Sequence, residues 1–171
     1  MDYKALIREV PDFPQPGILF YDITPLLKDP QCFHAIIEEF TKKYWHARID
    51  KIVGIESRGF IFGSPLAFHL RAGFVPVRKP GKLPADVYEV KYNLEYGSNS
   101  LSIHRDAIQE GERVLIVDDL LATGGTAAAT VHLLRQLGAH IVGVACLVEL
   151  LDLEGRKKLD GCDIHSLIAY P

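Results

Sequence analysis

Residues 114–117 read Val-Leu-Ile-Val, an unbroken aliphatic run with no polar position left to face water. A strand of that kind needs both faces covered, as in a parallel sheet layered with helices. Lys51-Ile52-Val53-Gly54-Ile55 and the stretch from Ile141 to Val148 repeat the pattern. Phe74-Val75-Pro76-Val77 is a shorter version, and its proline, lacking a backbone donor, suits a sheet edge or a strand end.

Helical patterns fall between these runs. Asp29-Pro30 has the form of an N-cap followed by proline at the first helical position. Phe33, Ile36, Ile37, Phe40 and Tyr44 then make one apolar stripe. Thr126 to Leu137 sets Val131, Leu134 and Leu137 on a shared side, with Arg135 near its end and Gly138 as the C′ residue. Gly59 to Arg71 is also predicted helical, with Ser64-Pro65 a point of bending or restart. Strands alternating with helices predict an α/β fold, a mostly parallel twisted sheet flanked by helices. Between Tyr88 and Ile103 the period changes to two: Tyr88, Val90, Tyr92, Leu94 and Tyr96 alternate with polar residues before Gly97-Ser98. That predicts a half-exposed antiparallel hairpin, turning at Gly97-Ser98 and projecting from the parallel sheet. With no repeat, low-complexity tract or linker, the 171 residues are expected to form a single domain, 1–171.

Composition narrows the function. A net charge of −3 creates no field that draws nucleic acid or an anionic membrane, so neither is an expected partner. The apolar run from Ile141 to Val148 is too short to span a bilayer. Three cysteines, Cys32, Cys146 and Cys162, are widely spaced with no CxxC, which fits reduced thiols better than disulfides or a zinc site. The seven histidines show no metal-binding spacing. The opening MDYKALIREVPDF carries acidic residues and no long apolar stretch, so no signal peptide is expected and the cytoplasm is the expected compartment.

Chemistry concentrates in VLIVDDLLATGGT, residues 114–126. A buried strand is predicted to end in Asp118 and Asp119, a short loop follows, and Thr123-Gly124-Gly125-Thr126 opens a helix. Ligands of open parallel sheets bind beyond the carboxyl ends of the strands. Gly124 and Gly125 let the backbone turn its N–H groups inward, the helix start adds partial positive charge, and the threonines add hydroxyl donors. That is a phosphate pocket without a lysine. Carboxylates beside a phosphate make sense when the ligand also carries hydroxyls or a divalent cation. A ribose offers two cis-hydroxyls for Asp118 and Asp119, and Mg²⁺, which keeps waters and prefers ligand phosphates, can sit close by. A Walker A loop is excluded, because Gly81-Lys82 has Pro76 where the first glycine belongs and Leu83 where Ser or Thr should follow.

This string resembles the phosphoribosyl-pyrophosphate (PRPP) motif of the type I phosphoribosyltransferases. Further strings are similar, in order and spacing, to the branch of that family that takes adenine: DFPQPGILFYDITPLLKDP from Asp12, ESRGFIFG from Glu56, RKPGKLP from Arg78 and LEYG from Leu94. The resemblance covers almost the whole chain. It implies the type I phosphoribosyltransferase fold, with the protruding hairpin as a lid and an amino-terminal base-binding hood. It further implies transfer of the 5-phosphoribosyl group from Mg-PRPP to adenine, giving AMP and pyrophosphate, in a homodimer.

By the same resemblance, the 5′-phosphate would lie on Ala122, Thr123, Gly124, Gly125 and Thr126, and the ribose on Asp118 and Asp119. Pyrophosphate would meet Ser57 and Arg58, with a cis peptide expected between those two, together with Arg78, Lys79 and Lys82. One residue of that basic loop is expected to reach across the dimer interface. Mg²⁺ would be held mainly by PRPP and waters near Asp118 and Asp119, with no direct protein ligand. Phe20 would stack on the base while Leu19 and Tyr21 read its edge through their backbone groups; Tyr21 stands where arginine is common in the family. Glu95 and Tyr96, on the lid, join Arg58 as the catalytic candidates. The residues alone leave other readings open: Arg58 as the partner of a nearby acid, the basic trio as a solvated loop, Ile18 to Phe20 as core, and Glu95 as a surface carboxylate. Two rival functions also stand, transfer to another purine such as hypoxanthine or xanthine, and a PRPP-binding regulator that would need a basic nucleic-acid surface.

Overall fold

The computed structural model describes residues 2–93 and 98–171. By compactness the chain divides into two units, Met1–Phe40 and Thr41–Pro171.

In the first unit, β1 (Arg8–Pro11) and β2 (Leu19–Asp22) form an antiparallel two-stranded sheet in which Val10 opposes Phe20. A one-turn helix α1 (Thr24–Leu27) follows, then α2 (Pro30–Tyr44), which continues into the second unit. Asp29 caps α2 as expected, its Oδ1 accepting the amides of Gln31 at 3.0 Å and Cys32 at 2.9 Å. Ile36, Ile37, Phe40 and Tyr44 of the predicted stripe are buried.

The second unit holds a five-stranded parallel sheet in the order β4-β3-β7-β8-β9. Its strands are β3 (Lys51–Ile55), β4 (Gly73–Val77), β7 (Arg113–Leu121), β8 (His140–Leu150) and β9 (Ile164–Tyr170). β4 is an edge strand, as Pro76 requires. Helix α3 (Arg58–Leu70) links β3 to β4, and α4 (Gly125–Gln136) links β7 to β8. α3 runs unbroken through Pro65; the fully buried Phe62 and Leu66 on either side supply packing that offsets the lost backbone bond. Val114 to Val117 and Ile52 to Val53 are fully inaccessible, the two-sided burial their composition calls for.

β5 (Val87–Asn93) and β6 (Ser98–His104) form the predicted hairpin. It is a separate two-stranded sheet, tied to the loop after β4 by a single bridge between Arg78 and Ser102. Ser98 opens the returning strand opposite Asn93, so it is not part of the turn as the sequence suggests; the ladder keeps its pairing that far. Glu95 and Tyr96, with Leu94 and Gly97, lie outside the described residues. Cys32, Cys146 and Cys162 are free thiols. Among the described residues, no helix is long and apolar enough to cross a membrane.

Candidate active site

In the sheet, the chain passes from β3 to β4 on one side and from β7 to β8 on the other. The gap beyond the carboxyl ends of β3 and β7 is therefore the topological switch point, where open α/β sheets bind ligands. The last rung between them joins Gly54 to Val117, and β3 stops at Ile55. β7 does not end at the carboxylates, as the sequence suggests, but runs on to Leu121, because β8 supplies rungs as far as Leu121–Glu149. Asp118 and Asp119 thus project where one neighbouring strand has ended. A cavity of about 600 Å³ opens there, a volume suited to a small ligand.

Glu56-Ser57-Arg58 lines one side of it. The cis peptide lies one bond earlier than expected, between Glu56 and Ser57. Arg58 is the first residue of α3 and Ser57 its N-cap, so the bond between those two belongs to the start of a regular helix. Arg58 Nε lies 2.8 Å from Asp119 Oδ2, inside the cavity. Of the basic trio, Lys79 lines the cavity. Arg78 is turned to Glu56, with Nε at 3.2 Å from Oε2, and to the carbonyl of Lys82 at 3.1 Å. Burial alone would raise the Glu56 pKa, but the amide of Lys79 and the guanidinium of Arg78 outweigh it and hold this carboxyl below its usual range.

Ala122 to Thr126 forms the opposite side. Gly124 is the N-cap of α4 at φ +77°, a conformation glycine adopts without steric cost. It carries no side chain to cap the helix, so the first-turn amides are suited to an external anion. A methyl group on Gly124 would collide with the carbonyl oxygen of Gly155, and one on Gly155 with that of Ala122. The short 3₁₀ turn Gly155–Lys158 is therefore the floor under the loop. That turn is anchored to a buried carboxylate: Glu149 Oε2 accepts Arg156 Nη2 at 2.7 Å and the Ser166 hydroxyl at 2.7 Å. The hydrogen bonds from Arg156 lead, over burial, in keeping the Glu149 carboxyl below its usual pKa range. Sequence reasoning missed Gly155, Glu149 and Arg156, which act on the loop through contacts no local motif encodes.

The carboxylate pair carries the main electrostatic tension. Desolvation first, and the neighbouring Asp119 charge second, push the Asp118 carboxyl well above the ordinary aspartate range, while Arg58 opposes the rise. A carboxyl whose native pKa exceeds its unfolded value destabilises the native state once it is ionised in both states. The native chain should thus lose stability as pH climbs from the ordinary aspartate range through the raised value. Asp118→Asn should melt higher than the native chain at pH 8, with the gap narrowing towards pH 5. Thermal denaturation across that range tests this, and a variant that melts lower at pH 8 contradicts it.

The phosphoribosyl transferase domain family matches residues 24–168. The chain is 59% identical over 170 residues to adenine phosphoribosyltransferase from Acaryochloris marina, covering 99% of this chain and 100% of that protein. The crystal structure of adenine phosphoribosyltransferase from Thermoanaerobacter pseudethanolicus superposes with a TM-score of 0.96 at 55% identity, covering 99% of this chain and 98% of that one. The chain belongs to the adenine phosphoribosyltransferase family. A third member, the Saccharomyces cerevisiae adenine phosphoribosyltransferase crystallised with adenine and an imino-altritol bisphosphate, matches with a TM-score of 0.92 at 43% identity over 97% of this chain and 96% of that one.

In this adenine phosphoribosyltransferase family member, residues 118–126 and the Ser57-Arg58 pair come together on one cavity within the second unit. Leu19, Phe20 and Tyr21 lie on β2 in the first unit, where Phe20 meets Phe13 edge-on with ring centroids 5.1 Å apart.

Proposed function

We propose that the chain transfers the 5-phosphoribosyl group of Mg-PRPP to adenine, giving AMP and pyrophosphate. The observation that supports this best is the single cavity lined by Ser57 and Arg58, by Asp118 and Asp119, and by Ala122 to Thr126. A pentose carrying phosphate groups at C1 and C5 matches those three groups in that arrangement. The 5′-phosphate takes the amides at the start of α4 and the hydroxyls of Thr123 and Thr126. The ribose hydroxyls donate to Asp118 and Asp119.

Among the described residues no group of three His, Cys, Asp or Glu side chains converges into a metal cage. Two adjacent carboxylates, one with its proton affinity raised by desolvation and by its neighbour's charge, suit Mg²⁺, which takes few protein ligands and retains waters and phosphate oxygens. Asp118 and Asp119 would hold it through water; when bound with PRPP, it supplies positive charge to the pyrophosphate oxygens.

In the transfer, purine N9 forms a bond to the anomeric carbon as the bond from that carbon to pyrophosphate oxygen breaks. The electron pair leaves with pyrophosphate, and the base gives up its N9 proton. Arg58 and Lys79 stabilise the charge that grows on the leaving group, and Ser57 adds a hydroxyl donor. Arg58 reaches it while sharing Asp119, since a guanidinium carries five N–H donors. Arg78 and Lys82 shape the loop that presents Lys79, with Lys82 or its neighbours able to contact pyrophosphate. Phe20 stacks on adenine, and the backbone at Leu19 and Tyr21 distinguishes an amino purine from an oxo purine, because the wrong pairing leaves buried groups unsatisfied.

Glu95 takes the proton or favours the tautomer that releases it, and Tyr96 completes the lid that excludes water. On this assignment Glu95→Gln lowers kcat by about 10²-fold, within the usual range for a general base, and changes KM less. A rise in KM alone makes Glu95 a substrate-binding residue. The enzyme works in the cytoplasm as a homodimer; its net charge of −3 is in keeping with the lack of a nucleic-acid or membrane partner. Release of pyrophosphate from Mg-PRPP with a panel of purines tests the whole reading. Adenine should be the preferred base; preference for hypoxanthine or xanthine corrects the substrate, and no turnover with any base overturns the reading.

A further inference from the structure

β5 places Tyr92 against the first turn of α4. A Cβ on Gly125 would stand 3.4 Å from the Tyr92 ring, and the Tyr92 hydroxyl lies 3.1 Å from Thr126 Oγ1. Thr126 is also held through its backbone, whose carbonyl accepts the Thr130 hydroxyl at 3.0 Å. A hydroxyl has one proton and two acceptor positions, so the direction of the Tyr92–Thr126 bond decides where the Thr126 proton can go. With Thr126 donating to Tyr92, that proton is spent on the hairpin. With Tyr92 donating, it is available to a ligand in the loop.

We propose that Tyr92 is a positioning residue for the 5′-phosphate: it donates to Thr126 Oγ1 and so directs the Thr126 proton at the anion. The proposal rests on the reading of the Ala122 to Thr126 loop given above. An anion at the end of such a chain polarises both bonds, so the two hydroxyls contribute more together than apart. The same bond links phosphate occupancy to the docking of β5, the strand that leads into residues 94–97. By linkage, whatever favours the docked hairpin then favours the phosphate by the same factor.

The test is equilibrium binding of ribose 5-phosphate to the full chain by calorimetry, in a cycle of Tyr92→Phe, Thr126→Ala and the double variant, with Thr126→Ser as the conservative control. Tyr92→Phe keeps the ring over Gly125 and removes the hydroxyl alone. It should weaken binding about five-fold, the scale of one net hydrogen bond. In the Thr126→Ser background, which keeps a hydroxyl, the loss should persist. In the Thr126→Ala background it should vanish to within about two-fold, the scatter of independent sites. Unchanged affinity in Tyr92→Phe overturns the proposal, and so does an equal loss in the Thr126→Ala background, which would make the phenol a general support of the fold. If the native chain does not bind ribose 5-phosphate, the reading of the loop and this proposal fall together. If the native chain binds and the cycle shows no coupling, the proposal alone falls.

Discussion

Replacing Asp118 and Asp119 together by alanine is expected to cut turnover by about 10²–10³-fold or more, the scale set by losing a preorganised polar contact in a water-poor site. The fold should survive. Asp118 is a source of strain, since burial and its neighbour push its pKa up, so removing it relieves the native state. Removing Asp119 deprives Arg58 of a partner at 2.8 Å, but the Arg58 side chain is 40% exposed and water can replace the carboxylate. Stability and activity should therefore separate: a melting temperature near the native value, with pyrophosphate release nearly abolished. Near-native turnover in the double variant would remove the ribose from this pair of carboxylates. The isosteric Asp118→Asn with Asp119→Asn checks that the loss comes from the acceptors and not from volume.

The second large effect belongs to Gly124→Ala. An L-residue at φ +77° costs about 1–2 kcal/mol by itself. Here the added methyl also meets the Gly155 carbonyl, and the Gly155 turn resists yielding, because it is moored by Arg156 to the buried Glu149. The loop must move by a substantial fraction of an ångström. Displacements on that scale cost about 10²-fold in kcat/KM when they misplace a substrate-positioning group. Gly155→Ala should behave alike from the opposite side, its methyl striking the Ala122 carbonyl. Gly161→Ala is the control: it shares a positive φ of +80° but has nothing within 4 Å, so it should lose some stability and little kcat/KM. Equal kinetic losses in Gly124→Ala and Gly161→Ala would show that the loop's contact with Gly155 does not set its geometry.

The parallel sheet was readable because its central strands are apolar on both faces; β3, β7 and β8 contain the aliphatic runs that announce them. β9 escaped notice because His165 and Ser166 interrupt its apolar character, and most of its residues are only half-buried. β1 and β2 are four-residue strands with no fully buried position, so neither alternation nor burial marks them. The candidate ribose-phosphate site was legible in the sequence because its parts are contiguous: strand, acid pair, glycine loop and helix start all fall within residues 114–126. The partner groups were less so. That Arg58 turns towards Asp119, and Arg78 towards Glu56, depends on pairs of residues 61 and 22 positions apart, and sequence patterning carries no such distances. The floor made by Gly155, Glu149 and Arg156 was invisible for the same reason.

The account stands on one pentose being grasped at once by the carboxylates of β7 and by the amides that open α4. A crystal structure of the chain soaked with AMP tests this most directly. The ribose hydroxyls should lie within hydrogen-bonding distance of Asp118 and Asp119, with the phosphate on the backbone of Ala122 to Thr126. Nucleotide bound elsewhere, or a phosphate in the loop with its sugar turned away from both carboxylates, would contradict it.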